Sequence, residues 1–253
     1  MFQNLRKSKK LVLIAMACAT FAIAGCGSDT TKTTADNGTA VTWSETFDGT
    51  KTDFVVKSAP THAVSMSQAT TEMMLQLGLE DKMAGTAFKE EEIYPPLQAA
   101  YDKVKVLSDK WPSYEVFMSV KPDFATGWPD SFSKRAIPAD KMIAQKVNIW
   151  LPESMLSTKA DLETNFNDMI KLGEIFGVKP KAEEWVAGQR KTLAAIQDKL
   201  KDLPRKRVFI YDSEDGQPFT AFEGYTTNIL KLIGADNVMS GLGVDKTWAK
   251  GSW

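Results

Sequence analysis

The chain has 253 residues, 43% of them hydrophobic and 25% charged, with 31 Lys and Arg set against 32 Asp and Glu. Those figures describe an ordinary globular protein of one or two domains and argue against a disordered tail, a fibrous repeat or a disulfide-stapled miniprotein. A net charge of −1 with no block of like charges leaves no nucleic-acid footprint, and the single histidine, His62, excludes a His-rich metal site and is the only candidate for a His-dependent dyad.

The chain opens with Arg6, Lys7, Lys9 and Lys10, followed by an apolar run over residues 11–24. That run has 14 residues, short of the ~20 that a membrane-spanning helix needs, so it reads as a secretion signal. Its end, Ile23-Ala24-Gly25-Cys26, resembles the lipobox of bacterial lipoproteins, in which the cysteine thiol accepts diacylglycerol; a plain signal with an incidental cysteine is the other reading. Removing residues 1–25 takes away four cations and no anion, which moves the net charge from −1 to −5. Cys18 leaves with the signal, so the mature chain keeps Cys26 alone and forms no internal disulfide. The Ser, Thr, Asp, Asn and Gly that follow have no apolar periodicity and read as a tether, and residues 26–58 are assigned to the lipidated cysteine and its flexible tether.

Residues 59–157 alternate short apolar runs with helical stretches, the pattern of an α/β lobe. Strands are expected over residues 62–66, 83–86, 103–107, 124–126 and 147–150. A helix carrying Met73, Met74, Leu75 and Leu77 and closed by Gly78 follows the first, and further helices are expected over 113–120 and 138–146. Loops after the strands then gather along one sheet edge, where open α/β sheets bind ligands. Residues 158–204 read as connecting helices, the first capped by Thr158 with Asp161 three residues on. The second starts near Pro180, with Val186, Gln189, Leu193, Ile196, Leu200 and Leu203 at three-four spacing. A helix over 181–203 would run roughly 35 Å, either packed on its own domain or as a strut between two lobes. Residues 205–253 repeat the opening plan: a strand over 207–211, a polar loop, and a helix with Ile229, Leu230, Leu232 and Ile233 ended by Gly234. The fold class expected is α/β, two α/β lobes joined by one long helix, with the second lobe truncated because only 49 residues follow Pro204.

Several stretches together resemble one family: Thr71-Glu72-Met73-Met74-Leu75-Gln76-Leu77-Gly78-Leu79, Ala84-Gly85-Thr86, Tyr94-Pro95-Pro96, Tyr114-Glu115 running to Val120-Lys121-Pro122-Asp123, Leu172-Gly173, and Ile233-Gly234-Ala235-Asp236-Asn237-Val238. They are similar to the ABC-importer substrate-binding proteins for cobalamin, ferric siderophores and haem, over about residues 59–253. The resemblance implies a ligand cleft between two lobes joined by a long helix, and one acidic residue per lobe that docks on arginines of a permease. Glu115 matches the first of these by position; complementing a helix dipole, worth ~0.3–1 kcal/mol, is the alternative role.

The cleft expected from the loops includes Ser67, Gln68, Phe88, Lys89, Lys110, Trp111, residues 128–132 and 152–154, and Phe219, Thr220, Phe222 and Tyr225. Flat rings bury large area with few rotors to freeze, so Phe88, Trp111, Trp128, Phe132, Phe222 and Tyr225 are the ligand-binding candidates. Lys89, Lys110 and Lys134 are either partners for an anionic chelate or solvated surface lysines. His62 at a strand start reads as structural, no metal site of the protein's own is expected, and a metal would arrive already chelated. There is no Gly-x-Ser-x-Gly elbow, Walker loop or Gly-rich dinucleotide turn. The expectation is a non-enzymatic, monomeric, lipid-anchored binding protein on the extracytoplasmic face, without a cofactor, its partners a small-molecule metal chelate and an ABC permease and not nucleic acid. A lipoprotein enzyme or surface adhesin on the same scaffold is the alternative.

Overall fold

The computed structural model describes residues 40–252. The basic start, the apolar run, Cys26 and the tether up to residue 39 lie outside the described residues.

The first element corrects the extent of the tether. Two strands, β1 (Val41–Phe47) and β2 (Thr50–Val56), pair antiparallel from Val41↔Val56 to Phe47↔Thr50. Asp48 and Gly49 between them have φ of 48° and 79°, the left-handed pair that a two-residue hairpin turn requires. Alternation turns Trp43, Glu45 and Phe47 toward the protein. Trp43 stacks on Phe54 with ring centroids 5.5 Å apart, and its indole N–H donates to the Ile149 carbonyl at 2.8 Å.

Five parallel strands follow: β3 (Ala63–Ser65), β4 (Met83–Ala87), β5 (Val106–Ser108), β6 (Phe124–Thr126) and β7 (Asn148–Trp150), in the sheet order β5-β4-β3-β6-β7. The third begins later than expected; the others lie where the sequence places them. Between the strands run α1 (Gln68–Gln76), α2 (Gln98–Tyr101), α3 (Tyr114–Ser119) and α4 (Ala139–Ala144). The strands inside the edge strand β5 are short and apolar because both faces are covered. Phe124 and Trp150 face one core with Met74 and Leu172, while Val64, Ala125 and Ile149 face another with Phe117 and Met142. Helix α1 ends as expected: Gly78 takes φ 64°, its N–H bonds Leu75 O, and Leu79 N–H bonds Met74 O, a Schellman cap. Asp123 ties the start of β6 to the segment before β3, accepting the N–H groups of Thr61 and His62 at 2.8 and 3.0 Å.

Two helices lead out of this lobe, α5 (Leu162–Ile175) and α6 (Lys179–Leu200). The cap of α5 falls three residues later than expected: Asp161, not Thr158, is the N-cap, with Thr164 completing the capping box. Gly173 lets the two helices close, since a Cβ there would stand 2.7 Å from that of Ala182. Helix α6 has 22 residues, about 33 Å at 1.5 Å per residue. Its apolar stripe is covered only in part. Val186 is buried, with Ala182 beside it, but Ile196 is 40% exposed and Leu203, beyond the helix, 59%, because the helix leaves the first lobe after its opening turns. The strand expected over 207–211 divides into β8 (Lys206–Val208) and β9 (Tyr211–Glu214) in different sheets. Strand β9 pairs with β10 (Pro218–Ala221), which α7 (Tyr225–Leu232) follows; β8 pairs in parallel with β11 (Ala235–Asn237), and β10 also pairs with β12 (Trp248–Lys250).

Candidate ligand cavity between the lobes

The chain lays β4 and β5 to one side of β3 and β6 and β7 to the other, so its direction of winding reverses between β3 and β6, and an open sheet leaves a crevice at the carboxyl ends of such strands. A cavity of about 410 Å³ occupies that position. From the first lobe it is lined by Ala69 and Met73 at the start of α1, Trp128 just after β6, Ser154 and Met155 in the turn after β7, and Asn165 of α5. From the second lobe come Glu223, Tyr225 and Thr226 at the start of α7, and Thr247 and Trp248. A second hollow of about 590 Å³ shares Ala69, Met73 and Asn165 with it and reaches α6 at Trp185 and Gln189.

Close contact of the lobes shapes the cavity. Gly224 caps α7 with φ 84°; a Cβ there would lie 3.1 Å from the Ser157 carbonyl oxygen and 2.8 Å from Thr247 Cγ2. One turn on, the Asn228 side-chain N–H donates to the Ala160 carbonyl at 2.8 Å. The first turn of α7 is thereby held over the turn that follows β7.

That turn is fixed by a buried acid. Asp168 of α5, 5% exposed, accepts the backbone N–H groups of Glu153 and Ser154, each at 2.9 Å. Burial raises its carboxyl above the usual range, the hydrogen bonds from residues 153 and 154 offset part of that, and Glu153 nearby adds to it. The Tyr225 phenol is also raised, first by burial and then by the charge of Asp168. On the far side of the same turn, Glu45 of β1 accepts the Leu151 N–H at 3.0 Å. Burial, aided by Glu153 and Asp168, pushes Glu45 up to about 7 against the pull of that bond.

Of the six ring candidates, the cavity brings together Trp128 and Tyr225. Phe88 and Trp111 instead pair with each other, stacked at 4.6 Å, with Lys110 Nζ 5.2 Å over the Phe88 ring. The Trp111 indole is anchored on the Met66 carbonyl at 3.1 Å, and neither ring lines the cavity. Phe132 and Phe222 are corrections. The chain turns into a short 3-10 helix, Pro129–Phe132, that carries Phe132 back into the core beside Phe47, and Phe222 is 2% exposed at the end of β10. Phe219 belongs to β10, where it stacks on Trp248 at 6.0 Å. Lys89 and Lys134 are exposed and outside the lining. Glu115 stands exposed in the first turn of α3, which Ser113 caps; hydrogen bonding there holds its carboxyl below the usual range. Sequence reasoning missed Ala69, Met73, Met155, Asn165, Glu223, Thr226, Thr247 and Trp248 as lining residues; the Glu223-Gly224 step before an apolar helix is the available signal for a helix start at the cleft.

Among the described residues, no helix is long and apolar enough to cross a membrane. The profile of the family described as "Periplasmic binding protein" matches residues 64–253. A periplasmic binding protein from Veillonella parvula has a crystal structure that is 96% identical, covers 85% of this chain and 73% of its own, and superimposes with a TM-score of 0.83. The uncharacterized ABC transporter substrate-binding lipoprotein YvrC of Bacillus subtilis is 26% identical over 91% of this chain and 73% of its own length. The vitamin B12-binding protein of Vibrio vulnificus is 24% identical over 74% of this chain, which spans 64% of that relative's length. A profile match over most of the chain, joined to a two-lobe fold with its cavity at the reversal of the sheet, decides the family: the chain belongs to the periplasmic binding proteins, among the substrate-binding proteins of ABC importers.

Proposed function

We propose that the protein captures a bulky metal chelate (a ferric siderophore, a corrinoid or haem) in the cavity between its lobes and delivers it to an ABC permease, with no bond made or broken. The observation that carries this reading is the cavity of about 410 Å³ at the reversal of the sheet, with Trp128 on one lobe and Tyr225 and Trp248 on the other. Rings from opposite walls hold a flat or bulky guest at low entropic cost, and volumes of roughly 300–1,000 Å³ are usual for small-molecule sites. Ser154, Asn165, Thr226 and Thr247 supply neutral hydrogen-bonding groups around them. In this reading Phe88 and Trp111 form the outer edge of the ligand site. Glu115, exposed at the lobe surface, docks on the permease, and diacylglycerol on Cys26 holds the protein at the extracytoplasmic face of the membrane. The relatives support capture and delivery as the activity, and the vitamin B12-binding protein is consistent with a corrinoid among the guests.

The test is quenching of intrinsic tryptophan fluorescence during titration with cyanocobalamin, haemin and ferric siderophores of different charge. Saturable quenching by one of them, weakened when Trp128 is replaced by alanine, is the expected result. Silence with every chelate would overturn the reading.

A further inference from the structure

The turn after β7 supplies Ser154 and Met155 to the cavity wall, and it is gripped from both sides by side chains that are not themselves part of the cavity lining. On one side Asp168, from the interior of α5, accepts two consecutive amides, those of Glu153 and Ser154, each at 2.9 Å. On the other, Glu45 reaches from the hairpin across the outer edge of β7 to the Leu151 amide at 3.0 Å. Both acids are buried, at 5% and 8% exposure. Burying two carboxylates this close together is costly unless each is used, and here each spends its hydrogen bonds on the backbone of one four-residue stretch.

We infer that Asp168 and Glu45 are positioning residues of the ligand cavity, a pair of buried carboxylates that hold the 151–154 backbone between them and so link the hairpin to the cavity wall. The hairpin has independent holds on the same region: Trp43 donates to Ile149, and Lys171 of α5 donates to the Thr42 carbonyl at 3.0 Å. Protonation of the pair is therefore felt at the wall. The groups that face them are Glu153 from the turn, Lys171 from α5, whose ammonium also pairs with Glu174 at 3.7 Å, and Tyr225 from α7, which feels the charge of Asp168. Ionisation of Glu45 near neutral pH places a second full negative charge beside Asp168 and strains the two-sided grip; protonation relieves it and leaves the Leu151 bond in place. The inference leans on the capture reading only in treating this wall as a ligand-binding wall.

Two measurements on the full chain, made without ligand, test it. First, amide and indole NMR signals are followed from pH 5.5 to 8.5. The amides of Leu151, Glu153 and Ser154 and the indole N–H signals of Trp128 and Trp248 should share one midpoint near neutrality, and Glu45→Gln should remove it from all five. Indoles that stay still while Leu151 moves, or a midpoint that survives E45Q, would overturn the inference. Second, Asp168→Asn turns one acceptor into a donor facing an amide donor. Exchange of the Glu153 and Ser154 amides should rise about tenfold, the equivalent of one net hydrogen bond, with that of Leu151 unchanged. Unchanged exchange at 153 and 154 would overturn it equally. A chain that answers both tests as expected yet shows no quenching by any chelate would refute capture while leaving the positioning pair intact.

Discussion

Replacing Glu45 with glutamine should make the protein more stable at pH 8 and change little at pH 5. Its carboxyl is buried at 8% exposure and raised from 4.5 to about 7, first by burial. An acid whose native value is raised binds its proton more tightly when folded, so its contribution is fully present below about pH 4.5 and is lost as pH rises through 7. At about 1.4 kcal/mol for each pH unit of displacement, the loss across that window is about 3 kcal/mol. Asp168 is raised in the same sense and contributes to the slope of both proteins, so the difference between them reports Glu45 together with its coupling to Asp168. Glutamine retains an oxygen to accept the Leu151 N–H, and its amide group lies near the carboxylates of Glu153 and Asp168, which accept hydrogen bonds. Urea unfolding followed by intrinsic fluorescence at half-unit steps from pH 5 to 8 provides the assay, with the slope against urea checked for constancy. The wild-type chain should lose about 2.5 kcal/mol relative to E45Q between the extremes. Two stability curves that run parallel over the whole range would refute the reasoning, because a carboxyl that does not titrate there cannot be desolvated as described.

Two further predictions separate cavity from core. Trp128→Ala should weaken binding of any chelate that quenches the protein by about tenfold or more, as expected for loss of an aromatic contact and its buried area, whereas Phe132→Leu should leave that affinity unchanged and lower the urea midpoint; equal affinity loss in both would return Phe132 to the site. Gly224→Ala forces a Cβ against Ser157 and Thr247 at a left-handed position and should cost roughly 1–3 kcal/mol in urea unfolding, with the chelate affinity falling as the lobes part; a neutral substitution would show that the lobes do not meet there.

The first lobe was legible because its strands are covered on both faces and so appear as short apolar runs, and because glycine marks its helix end: Gly78 sits where a left-handed cap is needed. The hairpin is less legible, although the sequence carries its signal. Trp43, Glu45 and Phe47 alternate up to Asp48-Gly49 and Phe54 and Val56 answer on the return; the polar residues before it drew the whole stretch into the tether. The long helix lies where the sequence places it, but the sequence leaves its packing open, since periodicity describes which residues share a face and not how much of that face is covered. Ring candidates fared unevenly for a related reason. A loop after a strand can lead a ring outward or back under the sheet: Trp128 precedes the short 3-10 helix and faces the cavity, and Phe132, four residues later at its end, is sealed in the core. One helical turn decides between those outcomes, and composition carries no information on its phase.

Two features that arise separately define the cavity. Winding of the sheet is settled by short-range packing of β3 against β4 and β6, and it opens a crevice whatever the second lobe does. That crevice becomes an enclosed site only because the second lobe reaches it at a helix start. Gly224 allows backbone to pass within contact distance of residues 157 and 158, and Asn228 fastens the next turn to Ala160. The floor and the roof therefore meet over residues 157–160, shortly after the 151–154 stretch that Asp168 and Glu45 hold from its two sides. A guest that presses on Ser154 and Met155 presses on that grip, and a movement of the roof relative to the floor pulls on it. Chemistry at this turn thus bears on both how firmly a guest is held and how readily the lobes part to release it, although the three amides involved are marked in the sequence by no more than two ordinary acidic residues, Asp168 on a helix and Glu45 on a strand.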